Sequence, residues 1–190
     1  MYFCRKLTIS QADEIYRKMM KKDFPRSELK PLSMIHKGLA RKEYLCFGFF
    51  DDEDTVCGYA YFVFRIRDGQ RVYMLDYFAV AENMRGTGLG SQFIKMACEE
   101  VNDADYIICE AEAPEKASDK DDRLTRTRRV DFYLRNGFRD TGVTAFVFGV
   151  VFKILEFGAE HTEDEMKKAY SELYRSFLPE ILYRACFKTM

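Results

Sequence analysis

Three glycines within five residues, Gly86, Gly88 and Gly90, follow Arg85 and open a segment of helical periodicity. Glycines so spaced let backbone amides approach a ligand closely and reach positive φ. With the unpaired amides of a helix's first turn they form a cradle for phosphate. Arg85 adds a positive charge beside it. The chemistry expected at Arg85–Ser91 is therefore anion binding, and the plain alternative is a tight turn with no ligand. No Gly-Lys-Ser/Thr closes the run, so it is not a P-loop. It nearly fits the dinucleotide fingerprint, but the third glycine of G-x-G-x-x-G falls on Ser91. Glu110, twenty residues beyond Gly90, stands where that fingerprint places its ribose-binding acid.

Three acids are candidates for moving a proton. Asp76 interrupts the apolar run YMLDYFAV, where an unpaired carboxylate is costly. It reads as a base or as a buried structural acid with a hydrogen-bond partner. Glu110 ends the run YIICE, and Glu112, two residues on, projects to the same side if the strand continues. His36 reads as a surface or partly packed residue. The six cysteines are widely spaced with no C-x-x-C pair, which suits reduced core thiols in a cytoplasm. With only His36 and His161 beside them, no metal site is expected.

The elements that must hold these residues follow from the patterning. Leu7–Ile9 reads as a short strand, and Ser10 as the cap of a helix over Gln11–Lys22. A second helix covers Glu28–Arg41, with Leu32, Ile35 and Leu39 as its apolar stripe. Tyr44–Phe50 and Val56–Ile66 are strand-like, separated by the acidic tip Asp51–Asp54. The turn Arg67–Gln70 leads into the strand Tyr73–Val80. Three strands joined by short turns imply an antiparallel meander. A helix over Ser91–Val101 and a strand over Tyr106–Ala111 come next. Pro114–Asp122 is a loop, and a helix from Thr125 to Asn136 is stopped by Gly137. Thr141–Phe148 and Val150–Phe157 form a hairpin. Thr162-x-x-Glu165 is a capping box for a helix through Phe177, with Met166, Ala169, Leu173 and Phe177 on its apolar face. Pro179 stops it, and Ile181–Phe187 reads as a last strand.

This order does not alternate strand and helix as a doubly wound fold does, which weakens the dinucleotide reading. At 190 residues with 47% hydrophobic and 32% charged residues, the chain is a soluble globular domain. A net charge of −1 argues against nucleic acid or an anionic membrane as partner. No apolar run approaches the ~20 residues that span a bilayer, and the start MYFCRKLTIS has no signal-peptide core.

Arg85-x-x-Gly88-x-Gly90 resembles the acyl-CoA signature of the GNAT superfamily of N-acyltransferases. The segment Phe132-Tyr133-Leu134-Arg135-Asn136-Gly137-Phe138 is similar to that family's second motif, F-Y-x-x-x-G-F, in the right order and with a strand between the two. The resemblance covers residues 1–157, with 158–190 as an extension packed on the same domain or, as a homodimer, on a second copy. It implies an α+β fold with a mixed, mostly antiparallel sheet flanked by helices, and acetyl-CoA as cosubstrate with no metal. The strands Tyr73–Val80 and Tyr106–Ala111 would splay to admit the pantetheine arm. By the same likeness, Phe78, Ala79 and Val80 bond the pantetheine, while Arg85, Gly86, Thr87, Gly88, Leu89, Gly90 and Ser91 hold the pyrophosphate. Tyr133 would stand at the sulfur as general acid, with Glu110 as the favoured base. Many members carry asparagine where this chain has Arg126. That arginine, grouped with Arg123, Arg128 and Arg129, reads as part of a solvated helix face. The implied activity is acetyl transfer to a primary amine on a small molecule or peptide. A non-catalytic acyl-CoA-binding or regulatory module is the competing class, and a dinucleotide enzyme the third.

Overall fold

The computed structural model describes every residue except Ser27. The described residues form two compact units, Met1–Arg65 with Tyr73–Asp103, and Ile66–Val72 with Ala104–Met190. Each is α+β, with antiparallel strand pairing and helices packed on the strands.

The first unit begins with β1 (Phe3–Lys6), α1 (Ile9–Ile15), a π-helical turn over Tyr16–Met20 and the short α2 (Lys21–Asp23). Next come α3 (Leu32–Ala40), β2 (Tyr44–Phe50), β3 (Val56–Arg67), β4 (Gln70–Val80) and α4 (Leu89–Glu100). The strand order here is β1-β2-β3-β4. β2 and β3 are almost wholly apolar and their middles are buried, so they read as continuous hydrophobic runs. The first strand forms upstream of Leu7–Ile9, pairing Phe3 with Phe50. Leu7 is instead a core residue. The first helix starts two residues earlier than its sequence suggests, because Thr8 rather than Ser10 caps it. The Gln11 amide donates to Thr8 Oγ1 at 3.3 Å and the Thr8 amide to Gln11 Oε1 at 3.0 Å, a reciprocal capping box. The second helix starts only at Leu32, after Pro31.

The second unit contains β5 (Tyr106–Glu112), α5 (Lys120–Arg135), β6 (Arg139–Val147), β7 (Val150–Phe157), α6 (Glu163–Phe177), α7 (Glu180–Cys186) and β8 (Phe187–Thr189). Its order is β5-β7-β6-β8. Residues 158–190 thus belong with the strands that precede them. α5 begins five residues before the expected Thr125. Asp119 caps it by accepting from the Asp122 amide at 2.8 Å, inside a stretch whose polarity reads as loop. The expected strand Ile181–Phe187 is mostly helix, and only Phe187–Thr189 pairs, against Val147–Ala145.

A bulge between Asp140 and Thr144 seats the tail. There Thr141 turns inward to donate to the Ile154 carbonyl at 2.7 Å. A Cβ on Gly142 would lie 2.6 Å from Glu163 Oε1, so the start of α6 rests directly on the bulge. Thr162 and Glu165 close the capping box that the sequence predicts. The buried stripe of α6 is Met166, Tyr170, Leu173 and Tyr174, so two tyrosines take the places expected for Ala169 and Phe177.

Candidate active site

In the first unit the chemistry-bearing segment starts where β4 ends. The Ala81 amide donates to the Cys57 carbonyl at 2.8 Å, and a 3₁₀ turn over Glu82–Met84 swings the chain out of the sheet. Thr87 Oγ1 then donates to the Met84 carbonyl at 2.7 Å, folding the turn back on itself. Gly88 caps α4 with φ +88°, a left-handed conformation that any side chain would strain by roughly 1–2 kcal/mol. It brings no capping side chain. Among the described residues, the amides of Gly86, Thr87, Gly88, Leu89 and Gly90 donate to no protein acceptor, whereas Ser91 donates to the Gly88 carbonyl at 3.1 Å. A Cβ built on Gly86 or Gly88 meets nothing within 4 Å. An exposed helix N-terminus with several amides open and no acid between Arg85 and Ser91 is a fit for a pyrophosphate.

Arg85 is held more tightly than its sequence suggests. Its Nε donates to the Val80 carbonyl at 2.9 Å, and an Nη donates to Asp23 at 2.5 Å. Asp23 also accepts from the Tyr59 hydroxyl at 2.8 Å. The arginine therefore ties the end of β4 to the turn, with its charge partly matched by Asp23. Phe78 and Ala79 are half-buried and Val80 is buried at that same end of β4. Asp76 is tied into a polar cluster. Its side chain is 8% exposed, with Lys30 and the Tyr44 hydroxyl both donating to its carboxylate. His36 is half-buried, its Nε2 2.5 Å from Asp13.

In the second unit Tyr133 sits two residues before the end of α5 and one turn before Gly137. Gly137, at φ +92°, stops that helix in a Schellman motif: its amide donates to the Leu134 carbonyl at 3.2 Å, and the Phe138 amide to the Tyr133 carbonyl at 3.1 Å. The ring contact that accompanies such a stop is Tyr133 on Phe138, centroids 5.3 Å apart. Phe132 closes another side at 5.2 Å. The F-Y-x-x-x-G-F pattern is thus a device that buries and orients one tyrosine, which is 7% exposed. Gly137→Ala forces positive φ on a side chain whose Cβ would lie 3.2 Å from the Phe157 ring. The expected loss is about 1–2 kcal/mol of stability, read by denaturant unfolding.

β5 runs through Glu112, so Glu110 and Glu112 do project alike, but their partners differ. Glu112 is paired with Arg126 at 3.2 Å and with Arg129 at 2.6 Å. Arg126 also donates to Asp122 at 2.8 Å and to the Ala113 carbonyl at 3.4 Å, with its side chain only 14% exposed. It is a tie between α5 and the end of β5, not a solvated face. Glu110 accepts from the hydroxyls of Tyr170 and Tyr174 on α6. Sequence reading missed both tyrosines, and the one signal for them was their i,i+4 spacing.

The chain matches the profile of the GNAT acetyltransferase domain over residues 43–140, just over half its length. It belongs to the GNAT family. GNAT enzymes take their acetyl group from acetyl-CoA, so this GNAT chain is an acetyl-CoA-dependent N-acetyltransferase. The dinucleotide reading of Gly86–Ser91 falls with that assignment. No curated protein matches it significantly in sequence. Among solved structures, a GNAT-family protein from Bacteroides thetaiotaomicron is similar at TM-score 0.66 and 18% identity, covering 95% of this chain and 98% of that one. Spermidine N-acetyltransferase from Vibrio cholerae, in complex with CoA and spermine, is similar at TM-score 0.61 and 12% identity, covering 86% and 96%. A dodecameric form of the Vibrio cholerae enzyme scores 0.60 at 12% identity, covering 82% and 92%. Identities this low speak for the GNAT fold.

No helix among the described residues is long and apolar enough to cross a membrane. Among them, no group of three or more His, Cys, Asp or Glu is placed to hold a metal ion.

Proposed function

We propose that the chain acetylates a primary amine by direct attack, with Tyr133 as general acid and Glu110 as base. The observation that carries this is the run of open amides from Gly86 to Gly90 at the uncapped start of α4. In this reading those amides hold the pyrophosphate, with Arg85 and Ser91 beside them, and Phe78, Ala79 and Val80 line the pantetheine. Bound acetyl-CoA supplies an activated thioester. Glu110 takes up the proton that the ammonium must lose before its nitrogen can bond the acyl carbon. Tyr133 gives its proton to the thiolate as the carbon–sulfur bond breaks. An alkylammonium near pKa ~10 and a carboxylate near ~4.3 are poorly matched, so Glu110 acts by relay through an ordered water or by electrostatic placement of the cation rather than by direct abstraction.

An acyl-cysteine intermediate has little support. Burial pushes the Cys4 and Cys98 thiols up to about 12 and that of Cys46 higher still, and such thiols stay protonated and inert. All six cysteines are free, which suits the cytoplasm. Glu110 favours a cationic acceptor, and a polyamine such as spermine heads the panel to be tried.

Acetyl-CoA at a hundred times its dissociation constant is expected to stabilise the fold by about 2.7 kcal/mol, while NAD at that concentration leaves the melting temperature unchanged. Gly88→Asp should abolish the shift, since it strains the turn and puts a negative charge in the cradle. Thiol release from acetyl-CoA, followed across a panel of amines, then separates the classes. Turnover supports the enzyme, stabilisation without turnover marks a binding module, and a shift with NAD alone overturns the reading.

A further inference from the structure

Two partners of Glu110 lie outside the segment that carries the family likeness, on the C-terminal helix α6. Tyr170 and Tyr174 both direct a hydroxyl at the same oxygen, Glu110 Oε1, the second at 2.5 Å. Spaced i,i+4, they share one face of the helix. Both are buried, Tyr170 fully. Their rings are fixed from the other side by Phe187 of β8, which stacks on Tyr174 at 4.6 Å and 25° and lies 5.4 Å from Tyr170. The helix itself is anchored by its capping box and by the seat of Glu163 on Gly142. Little freedom is left in either hydroxyl.

That arrangement does more than satisfy two buried tyrosines. O–H donors to a carboxylate oxygen are short and strong, and they favour the ionised form over the protonated one. Burial and the neighbouring Glu110 charge push the Tyr170 hydroxyl well above its ordinary pKa. It therefore keeps its proton, and so keeps donating, at any pH where an amine is acetylated. The carboxylate of Glu110 is thereby held in one orientation.

We propose that Tyr170 and Tyr174 are positioning residues for the acceptor amine: they fix the carboxylate of Glu110 at the point where the amine's charge is met and its proton taken. The C-terminal segment from Thr162 to Thr189 is then a working part of the acetyltransferase. The proposal rests on the reading of Glu110 as base. It involves no proton loss from either tyrosine.

The test uses the full chain carrying Tyr170→Phe, Tyr174→Phe or both, each made with Glu110 intact and with Glu110→Gln. Phenylalanine keeps the ring packing, and thermal unfolding checks that each variant folds. Steady-state acetylation is followed with the best amine of the panel at saturating acetyl-CoA, and the acetyl-CoA dissociation constant is measured by titration. With Glu110 present, each single substitution is expected to lower kcat/KM for the amine by ~10-fold or more, the scale of a hydrogen bond to a charged group. The acetyl-CoA dissociation constant should not move. With Glu110→Gln, the same substitutions should change kcat/KM by less than ~2-fold, because the group they act through is gone. Equal losses in both backgrounds would show a purely structural role and overturn the proposal. Wild-type kinetics in the tyrosine variants beside an impaired Glu110→Gln would overturn it and leave the base reading standing. Wild-type kinetics in Glu110→Gln would remove the base reading and this proposal with it.

Discussion

Tyr133→Phe is expected to lower the turnover number by ~10²–10⁴-fold, the range typical of a positioned proton donor. The substitution removes one oxygen and keeps the ring that Phe132 and Phe138 grip, so the Schellman stop at Gly137 and the melting temperature should survive. Acetyl-CoA affinity should also survive, because the open amides of Gly86–Gly90 belong to a different stretch of chain. The loss should fall on kcat and kcat/KM alike, the pattern of an interaction made only in the transition state. Full activity would mean that the thiolate leaves unassisted or takes its proton from water. A large fall in melting temperature would instead make the hydroxyl a structural group.

Arg139→Met is expected to destabilise the fold strongly. Glu156 is completely buried, and Arg139 donates to its Oε2 at 2.6 Å while the His161 amide donates to the same oxygen at 3.1 Å. His161 Nδ1 meets the other oxygen. Removing the arginine leaves a carboxylate that water cannot reach with His161 as its remaining partner, and breaking a buried pair costs at most about 3–5 kcal/mol. For a chain of this size that is a fall on the order of 10 °C in melting temperature. The opposite deletion, Glu156→Gln, should cost less. The Arg139 side chain is 39% exposed and can turn to solvent, and glutamine still offers an acceptor to His161. Equal losses in the two variants would show that burial of the carboxylate is not what sets the penalty. The pair joins the start of β6 to the end of β7, so both variants also test how firmly the strand after Tyr133 is held.

Much of this protein was legible because it is local. The stop at Gly137, the capping box of Thr162 and Glu165, and the open turn around Gly88 depend on atoms within about four residues of one another. Sequence reading places all three. The runs YLCFGFF and YIICE are buried on both faces, and their shortness and aromatic or β-branched content mark them as strands. Misreadings arose where a local signal was ambiguous. The stretch Ser118–Arg123 is polar enough to pass for loop, yet Asp119 caps a helix there. The run Ile181–Phe187 has strand-like composition, but Pro179 favours a helix start and only the residues from Phe187 find a sheet edge.

The partners of the acids were beyond any local signal. Asp76 is neutralised by Lys30 across 46 residues, Arg85 by Asp23 across 62, and Glu110 is met by Tyr170 and Tyr174 across 60 and 64. Sequence reading favoured Glu110 as base over Asp76 and Glu112, but periodicity gave none of them a partner. What separates them is whether a distant cation or hydroxyl was brought to each, and a carboxylate's cost of burial depends on that partner and not on its neighbours in the chain. The sequence by itself therefore determined the family, the open glycine turn before α4 and the tyrosine before the glycine stop, whose physics is complete within a few residues. Only the tertiary structure decided that Asp76 and Glu112 are tied into ion pairs while Glu110 is held by two tyrosines of the tail, because packing alone brings such groups together.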